Sequence, residues 1–282
     1  MAIKTFGIVG AGTMGTGIAQ TAALCGLKAI LLDVNEDILR QAMQRFGKSI
    51  QRLIDAGKLD QPARDAALAS VQTATDYAAL SAADAVIEAA TEREGLKTEI
   101  LKRIDAVVRP DTIIATNTSS ISVTRLAATV SHPGRFVGLH FFNPVPVMKL
   151  VEVVRGLQTT DDTHDRVIQL AEKLGKSPIN ATNRPGFVVN RIPLPMINEA
   201  FFLLAEGDAC ADDIDQGMKL GCNHPIGPLA LADLIGLDVL LSVMDVLHQD
   251  FADSKYRPCP LLREMVDAGY LGRKSGRGVY RY

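Results

Sequence analysis

Two residues invite proton chemistry. His140 is the one histidine inside an apolar strand pattern, FVGLHF at 136–141, and Glu152 lies inside the next apolar run, LVEVV at 150–154. A carboxylate in such a run is unfavourable unless it is paired or hydrogen-bonded. A His–Glu pair would satisfy it, fix the imidazole tautomer and supply a group that exchanges a proton near neutral pH. The residues alone leave a plainer alternative open, a buried structural histidine. Ser119 follows Asn117-Thr118 directly after the apolar run TIIAT at 112–116, at the strand end where sheets flanked by helices bind ligands. Its alternative is the N-cap of the next helix.

A second constellation points to a nucleotide. Gly10-Ala11-Gly12-Thr13-Met14-Gly15 follows the apolar run IKTFGIV and opens a helical pattern, TGIAQTAALCG, that ends near Gly26. In such a fingerprint the first glycine allows a tight turn, the second admits a pyrophosphate and the third lets helix and strand approach closely. The phosphates sit at the helix N-terminus. Asp33 ends the next apolar run, KAILLD, about 20 positions on, where a carboxylate accepts from the adenosine ribose and repels a 2′-phosphate. This reads as an NAD site rather than an NADP site. The alternative for Asp33 is a cap before the helix starting at 36.

These residues need elements to carry them. From Glu36, Ile38, Leu39, Ala42, Met43, Phe46, Ile50, Leu53 and Ile54 recur at helical spacing, leaving Arg45, Lys48, Ser49 and Arg52 largely on the other side. Strands are expected at 84–89, 112–116, 136–141 and 150–154, with helices at 95–108, 122–130 and 163–174 between them. Alternation of this kind implies an α/β fold with a mainly parallel, doubly wound Rossmann-type sheet. After residue 184 strand patterns nearly vanish, and helical patterns occupy roughly 187–206, 212–220, 228–248 and 260–268. The expected division is a nucleotide-binding domain at 1–184 and an all-helical C-terminal domain at 185–282. Pro193 and Pro195 should kink or interrupt the helix in which they fall.

The whole-chain properties narrow the classes further. The 282 residues carry 30 basic and 32 acidic side chains, a formal net charge of −2 with no electrostatic footprint for nucleic acid or a membrane surface. The apolar stretch 226–247 is interrupted by Asp233, Asp238 and Asp245 and is too charged to cross a bilayer. Cys25, Cys210, Cys222 and Cys259 form neither a CxxC pair nor a metal-ligand spacing, so no metal is expected and a reducing, cytoplasmic compartment fits. MAIKTFGIVGAG enters a strand pattern directly and reads as a mature start.

Six stretches, GIVGAGTMGTGIAQ, ATNTSSISV, GLHFFNPVPVMKLVEVV, PGFVVNR, MKLGCNHPIGPLALAD and GRKSGRGVYRY, resemble the 3-hydroxyacyl-CoA dehydrogenases from end to end. The glycine fingerprint is shared by many NAD-binding proteins; GLHFFNPVPVMKLVEVV and its spacing to PGFVVNR are specific to this family. The resemblance implies His140 as acid/base, Glu152 as its orienting partner, and Ser119 and Asn190 as hydrogen-bonding groups around the substrate oxygen. It implies NAD contacts from the glycine loop, Asp33, Glu92, Lys97, Asn143 and Lys274, and acyl-CoA contact from Ser49. A lysine that contacts CoA in the family falls at Ala56 here, so that contact is missing or passes to Arg52 or Lys58, which can equally be an ordinary solvated helix face. The expected reaction interconverts a 3-hydroxyacyl-CoA and a 3-ketoacyl-CoA, short-chain first, with a 3-hydroxyadipyl thioester or a non-catalytic NAD-binding relative as alternatives. A homodimer through the helical domain is also implied.

Overall fold

The computed structural model describes residues 3–282, in two compact units that meet in sequence at Arg184 and Pro185. The first is built on β1 (Thr5–Val9), β2 (Lys28–Leu32), β3 (Val71–Ala74), β4 (Ala85–Glu88), β5 (Ile113–Thr116), β6 (Phe136–Phe141), β7 (Leu150–Arg155) and β8 (Ser177–Thr182). They form one sheet in the order β3-β2-β1-β4-β5-β6-β7-β8. Neighbours pair in parallel except β6 with β7, which are antiparallel. The central strands β4, β5 and β6 are buried at every position, as expected where helices cover both faces of a parallel sheet.

The covering helices are α1 (Thr13–Leu24), α2 (Glu36–Asp55), α3 (Gln61–Ala69), α4 (Glu94–Val107), α5 (Val123–Ala127) and α6 (Asp161–Lys173). The chain order reverses across β1, which has β2 on one side and β4 on the other. Ligands of doubly wound sheets bind in the crevice at such a switch point, outside the C-terminal ends of the strands. Sequence periodicity missed β3 and β8. VQTA and SPINAT lie toward the sheet edges and carry polar side chains with no sustained apolar run, so nothing in their pattern marks them as strands.

The second unit contains α7 (Pro193–Glu206), α8 (Ala211–Gly221), α9 (Pro228–Ile235), α10 (Leu237–Phe251) and α11 (Pro260–Asp267) around a core that includes Ile197, Phe201, Leu229, Leu240, Met244 and Leu247. Pro193 and Pro195 do not kink a helix; α7 begins at Pro193, so both fall in the first turn, where the missing N–H groups have no intrahelical partner to lose. The apolar stretch 228–248 is two helices, divided at Gly236, whose φ of 104° lies outside helical geometry. Two buried carboxylates hold the C-terminal segment: Asp233 accepts from the Val279 and Tyr280 N–H groups and the Tyr282 hydroxyl, and Asp215 from the Tyr280 hydroxyl.

Candidate functional site

The turn from β1 into α1 has the form that a dinucleotide needs. Gly10 has φ of 103°, and a Cβ there would lie 2.6 Å from the Ala90 Cα. A Cβ on Gly15 would lie 1.8 Å from the Gly10 carbonyl oxygen, so this first turn of α1 packs on the loop with no room for a side chain. A Cβ on Gly12 would meet nothing within 4 Å. Gly12 is also the N-cap of α1 and offers no side-chain cap, and no acidic residue sits in the first turn. The leading N–H groups of α1 therefore face a place where an anion can approach the backbone.

Asp33, just past β2, is tied to this loop. One carboxylate oxygen accepts from the Ala11 N–H at 2.9 Å and the other from the Asn35 N–H at 3.2 Å. The cap of α2 is Asn35, which accepts from the Asp37 and Ile38 N–H groups, so Asp33 is not the cap. Beside Asp33 and Gly10 lies a cavity of about 320 Å³ lined by Val34, Ile38, Ala90 and Ile100 together with Tyr77, Glu99 and Arg103. A glycine cradle, an uncapped helix start and a cavity next to a carboxylate fit a dinucleotide.

Beneath the opposite wall is a charge cluster. Glu88, the last residue of β4, and Lys97 of α4 form an ion pair with both side chains fully buried, and the Lys97 ammonium also lies 3.5 Å from a Glu92 oxygen. Glu88 further accepts from the Ala90 N–H at 2.8 Å, fixing the loop against which Gly10 packs. Glu92 accepts from the Thr118 hydroxyl at 2.9 Å and from the Ser119 N–H and hydroxyl at 2.6 and 3.0 Å. Ser119 is thus locked to the end of β4, and the cap of α5 is Ser122, not Ser119.

His140 and Glu152 are register partners in the antiparallel pair β6–β7, and His140 Nδ1 lies 2.7 Å from a Glu152 oxygen. Glu152 has no exposure and His140 has 7%, with the imidazole centroid 4.5 Å from that of Phe142. A carboxylate on Nδ1 fixes the ring and leaves Nε2 as the atom for proton exchange. The Phe141 N–H donates to Asn117 at 2.8 Å, which joins the Ser119 turn to the histidine strand. Asn143, three residues beyond His140, is exposed on the β6–β7 connection. Lys176 pins that connection by donating to the Val145 and Met148 carbonyls at 2.5 and 2.9 Å, and burial pushes its ammonium below the usual lysine pKa.

The remaining candidates are more scattered. Ser49 is half-buried on α2, whereas Arg52 and Lys58 are exposed, and Ala56 is the C-cap of that helix. Asn190 and Lys274 belong to the second unit. The Asn190 backbone carbonyl accepts from the Leu194 N–H at the entry to α7, and the Lys274 ammonium sits on both Asp238 oxygens at 2.5 and 2.7 Å. Partial burial works to raise the Asp238 pKa, but the lysine outweighs it and holds the carboxyl low.

Residues 5–184 match the NAD binding domain of 3-hydroxyacyl-CoA dehydrogenase, and residues 186–282 match its C-terminal domain. The chain belongs to the 3-hydroxyacyl-CoA dehydrogenase family. Like its family, it is an NAD-dependent oxidoreductase. A probable 3-hydroxybutyryl-CoA dehydrogenase from Bacillus subtilis is 50% identical over 100% of this chain and 98% of its own length. A 3-hydroxybutyryl-CoA dehydrogenase from Bradyrhizobium diazoefficiens is 49% identical over 99% and 96% of the two chains. The solved (S)-3-hydroxybutyryl-CoA dehydrogenase of Ralstonia eutropha is 59% identical with a TM-score of 0.99, covering 100% of this chain and 99% of that one.

Three residues around the candidate site are not assigned by the sequence pattern. Glu88 had a visible signal, a carboxylate in the apolar run DAVIEA, the same anomaly that marked Glu152. Asn117 was noted only as a neighbour of Ser119. Arg45 lies exposed on the polar side of α2, as its periodicity predicts, and its guanidinium also donates to the Ala11 carbonyl at 2.9 Å, a contact 34 residues away that leaves no trace in helical periodicity.

Proposed function

We propose that this family member interconverts (S)-3-hydroxybutyryl-CoA and acetoacetyl-CoA, with His140 as the acid/base. The observation that carries the proposal is the buried His140–Glu152 pair at 2.7 Å. The names of its relatives support the short acyl chain.

In the oxidative direction neutral His140 takes the proton of the 3-hydroxyl on Nε2. NAD held by the glycine loop and Asp33 would supply the acceptor for the hydride that leaves C3. Glu152, on Nδ1, stabilises the imidazolium that forms and keeps the ring aimed; buried carboxylates orient catalytic histidines in this way. Reduction of the ketone runs the same transfers backward, with the imidazolium returning its proton to the oxygen. Asn190, and Ser119 once its hydroxyl turns from Glu92, donate to the substrate oxygen, whose charge changes during transfer; each such donor contributes on the order of 3 kcal/mol. The glycine loop and Asp33 hold the dinucleotide, Glu92 and Lys97 shape its site, and Asn143 and Lys274 complete the contacts.

The helical unit serves as the substrate-binding and self-association domain. Ile192, Leu220 and Leu234, exposed at 68%, 83% and 54%, support a homodimer through that unit. The cytoplasm is the compartment proposed, in keeping with four unpaired cysteines. No helix among the described residues is long and apolar enough to cross a membrane.

The test is loss of NADH absorbance with acetoacetyl-CoA, with free acetoacetate and NADPH as controls. Rapid oxidation of NADH with the thioester alone is the expected result. Equal rates with free acetoacetate, or no reaction with the thioester, would overturn the proposal.

A further inference from the structure

The strand that bears His140 outruns its parallel neighbour. The β5–β6 register ends with Thr116 opposite Gly138, so Leu139, His140 and Phe141 extend past the last residue of β5. On the other flank β7 accompanies the strand to its end, with His140 opposite Glu152 and Phe141 opposite Val151. The segment that carries the imidazole therefore has a partner strand on one side only.

Phe141 shows what replaces the missing neighbour. The residue is 2% exposed, and a buried backbone N–H needs an acceptor. A β5 that continued past Thr116 would offer a main-chain carbonyl. The side-chain oxygen of Asn117 takes its place and accepts from the Phe141 N–H at 2.8 Å. This bond fixes the segment on the flank that β7 does not reach.

Asn117 is itself fixed from behind. Its N–H donates to the Glu88 carbonyl at 2.8 Å, which carries the β4–β5 ladder one residue further. The next two residues are held by Glu92, which accepts from the Thr118 hydroxyl and from the Ser119 N–H and hydroxyl. One short stretch thus fastens Ser119 to the end of β4 and, through Asn117, the histidine segment to the same frame. Glu152 sets the rotation of the imidazole; Asn117 sets where its strand lies against the serine turn.

We propose that Asn117 is a positioning residue for the proton transfer: its carboxamide oxygen, standing in for a β5 carbonyl, holds the end of β6 so that His140 and Ser119 meet one substrate oxygen. This rests on the reading of His140 as the acid/base. Asn117 takes no proton and needs no contact with the reacting atoms. A displacement of about 1 Å between reacting groups can slow a step by roughly 100-fold, so one hydrogen bond at this place reaches the rate.

The experiment compares the wild type, Asn117→Ala and Asn117→Asp by steady-state kinetics, with acetoacetyl-CoA and NADH varied in turn, and by hydrogen exchange at the Phe141 amide. Aspartate keeps an acceptor oxygen at the same place; alanine has none. Asn117→Ala should lower kcat by about tenfold or more with the KM for NADH changed by less than about twofold, and Asn117→Asp should recover most of kcat. The Phe141 amide should exchange slowly in the wild type and at least about tenfold faster in Asn117→Ala. A purely structural asparagine would lower the melting temperature and leave the kcat of the folded protein unchanged, which would overturn the inference. So would an equal loss of kcat in both variants, or a loss matched by the KM for NADH, which would place Asn117 in the dinucleotide site. If Asn117→Ala does not fold, a rapidly exchanging Phe141 amide in the wild type or a tenfold lower kcat in Asn117→Asp overturns it, and a slow amide with near-normal kcat supports it. Near-normal turnover in a folded His140→Gln protein overturns the acid/base reading itself; a His140-dependent enzyme whose Asn117→Ala variant keeps its kcat overturns only this inference.

Discussion

Nδ1 of His140 lies 2.7 Å from a carboxylate oxygen of Glu152, and the two residues oppose each other in the β6–β7 register. The one antiparallel pairing in the sheet thus places acid/base and orienting carboxylate on adjacent strands, with the glutamate fully enclosed.

Glu152→Gln keeps the shape of the side chain but removes the charge that stabilises the imidazolium. Turnover should fall by roughly 100-fold or more, with the KM for NADH changed little. Steady-state kinetics with each substrate varied in turn checks this, and a matching rise in the KM for NADH would count against it.

The glycine loop gives two contrasting substitutions. A methyl group on Gly12 meets no protein atom within 4 Å, so Gly12→Ala should melt like the wild type yet bind NADH at least about tenfold more weakly, through contact with the pyrophosphate. Gly15→Ala puts its methyl group into the Gly10 carbonyl and should lose both thermal stability and NADH affinity. Thermal melts with and without NADH separate the two.

Much of this arrangement is legible in the sequence. The glycine fingerprint, Asp33, His140 and Glu152 announce themselves because glycines at fixed spacing and polar groups inside apolar runs are anomalies in a local pattern. Alternating periodicities likewise exposed the parallel core strands and the all-helical second unit. Glu88 carried the same kind of signal as Glu152 and was overlooked. The reach of Arg45 to the Ala11 carbonyl is not legible, because its partner lies 34 residues away in sequence. The short, polar edge strands β3 and β8 exist by pairing with a neighbour rather than by their own pattern.

Removing one partner of the buried Glu88–Lys97 pair leaves the other charge enclosed. Lys97→Met should therefore cost roughly 3–5 kcal/mol of folding stability. Adding Glu88→Gln to Lys97→Met should restore a good part of it, measured as a double-mutant cycle in urea denaturation. Additive losses would mean that the pair is not a unit.

Asp105 provides a pH signature. Partial burial raises its pKa, but the Ser131 N–H and the Arg135 guanidinium, at 2.8 and 2.5 Å, outweigh burial and hold the carboxyl below the usual carboxylate range. A depressed folded-state pKa contributes stability that is present above the unfolded value and lost as pH falls through the folded one. Asp105→Asn should be less stable than the wild type by roughly 2 kcal/mol at neutral pH, and the gap should narrow below about pH 4. Denaturant midpoints across that range read the difference, and a gap independent of pH would rule out the ion pair as its source.

The account stands most directly on His140. In a folded His140→Gln protein that binds NADH with wild-type affinity, single-turnover reduction of acetoacetyl-CoA should slow by roughly 100-fold or more, the scale of a lost general acid. Reduction at a near-normal rate in that protein would contradict the assignment of His140 as the proton donor.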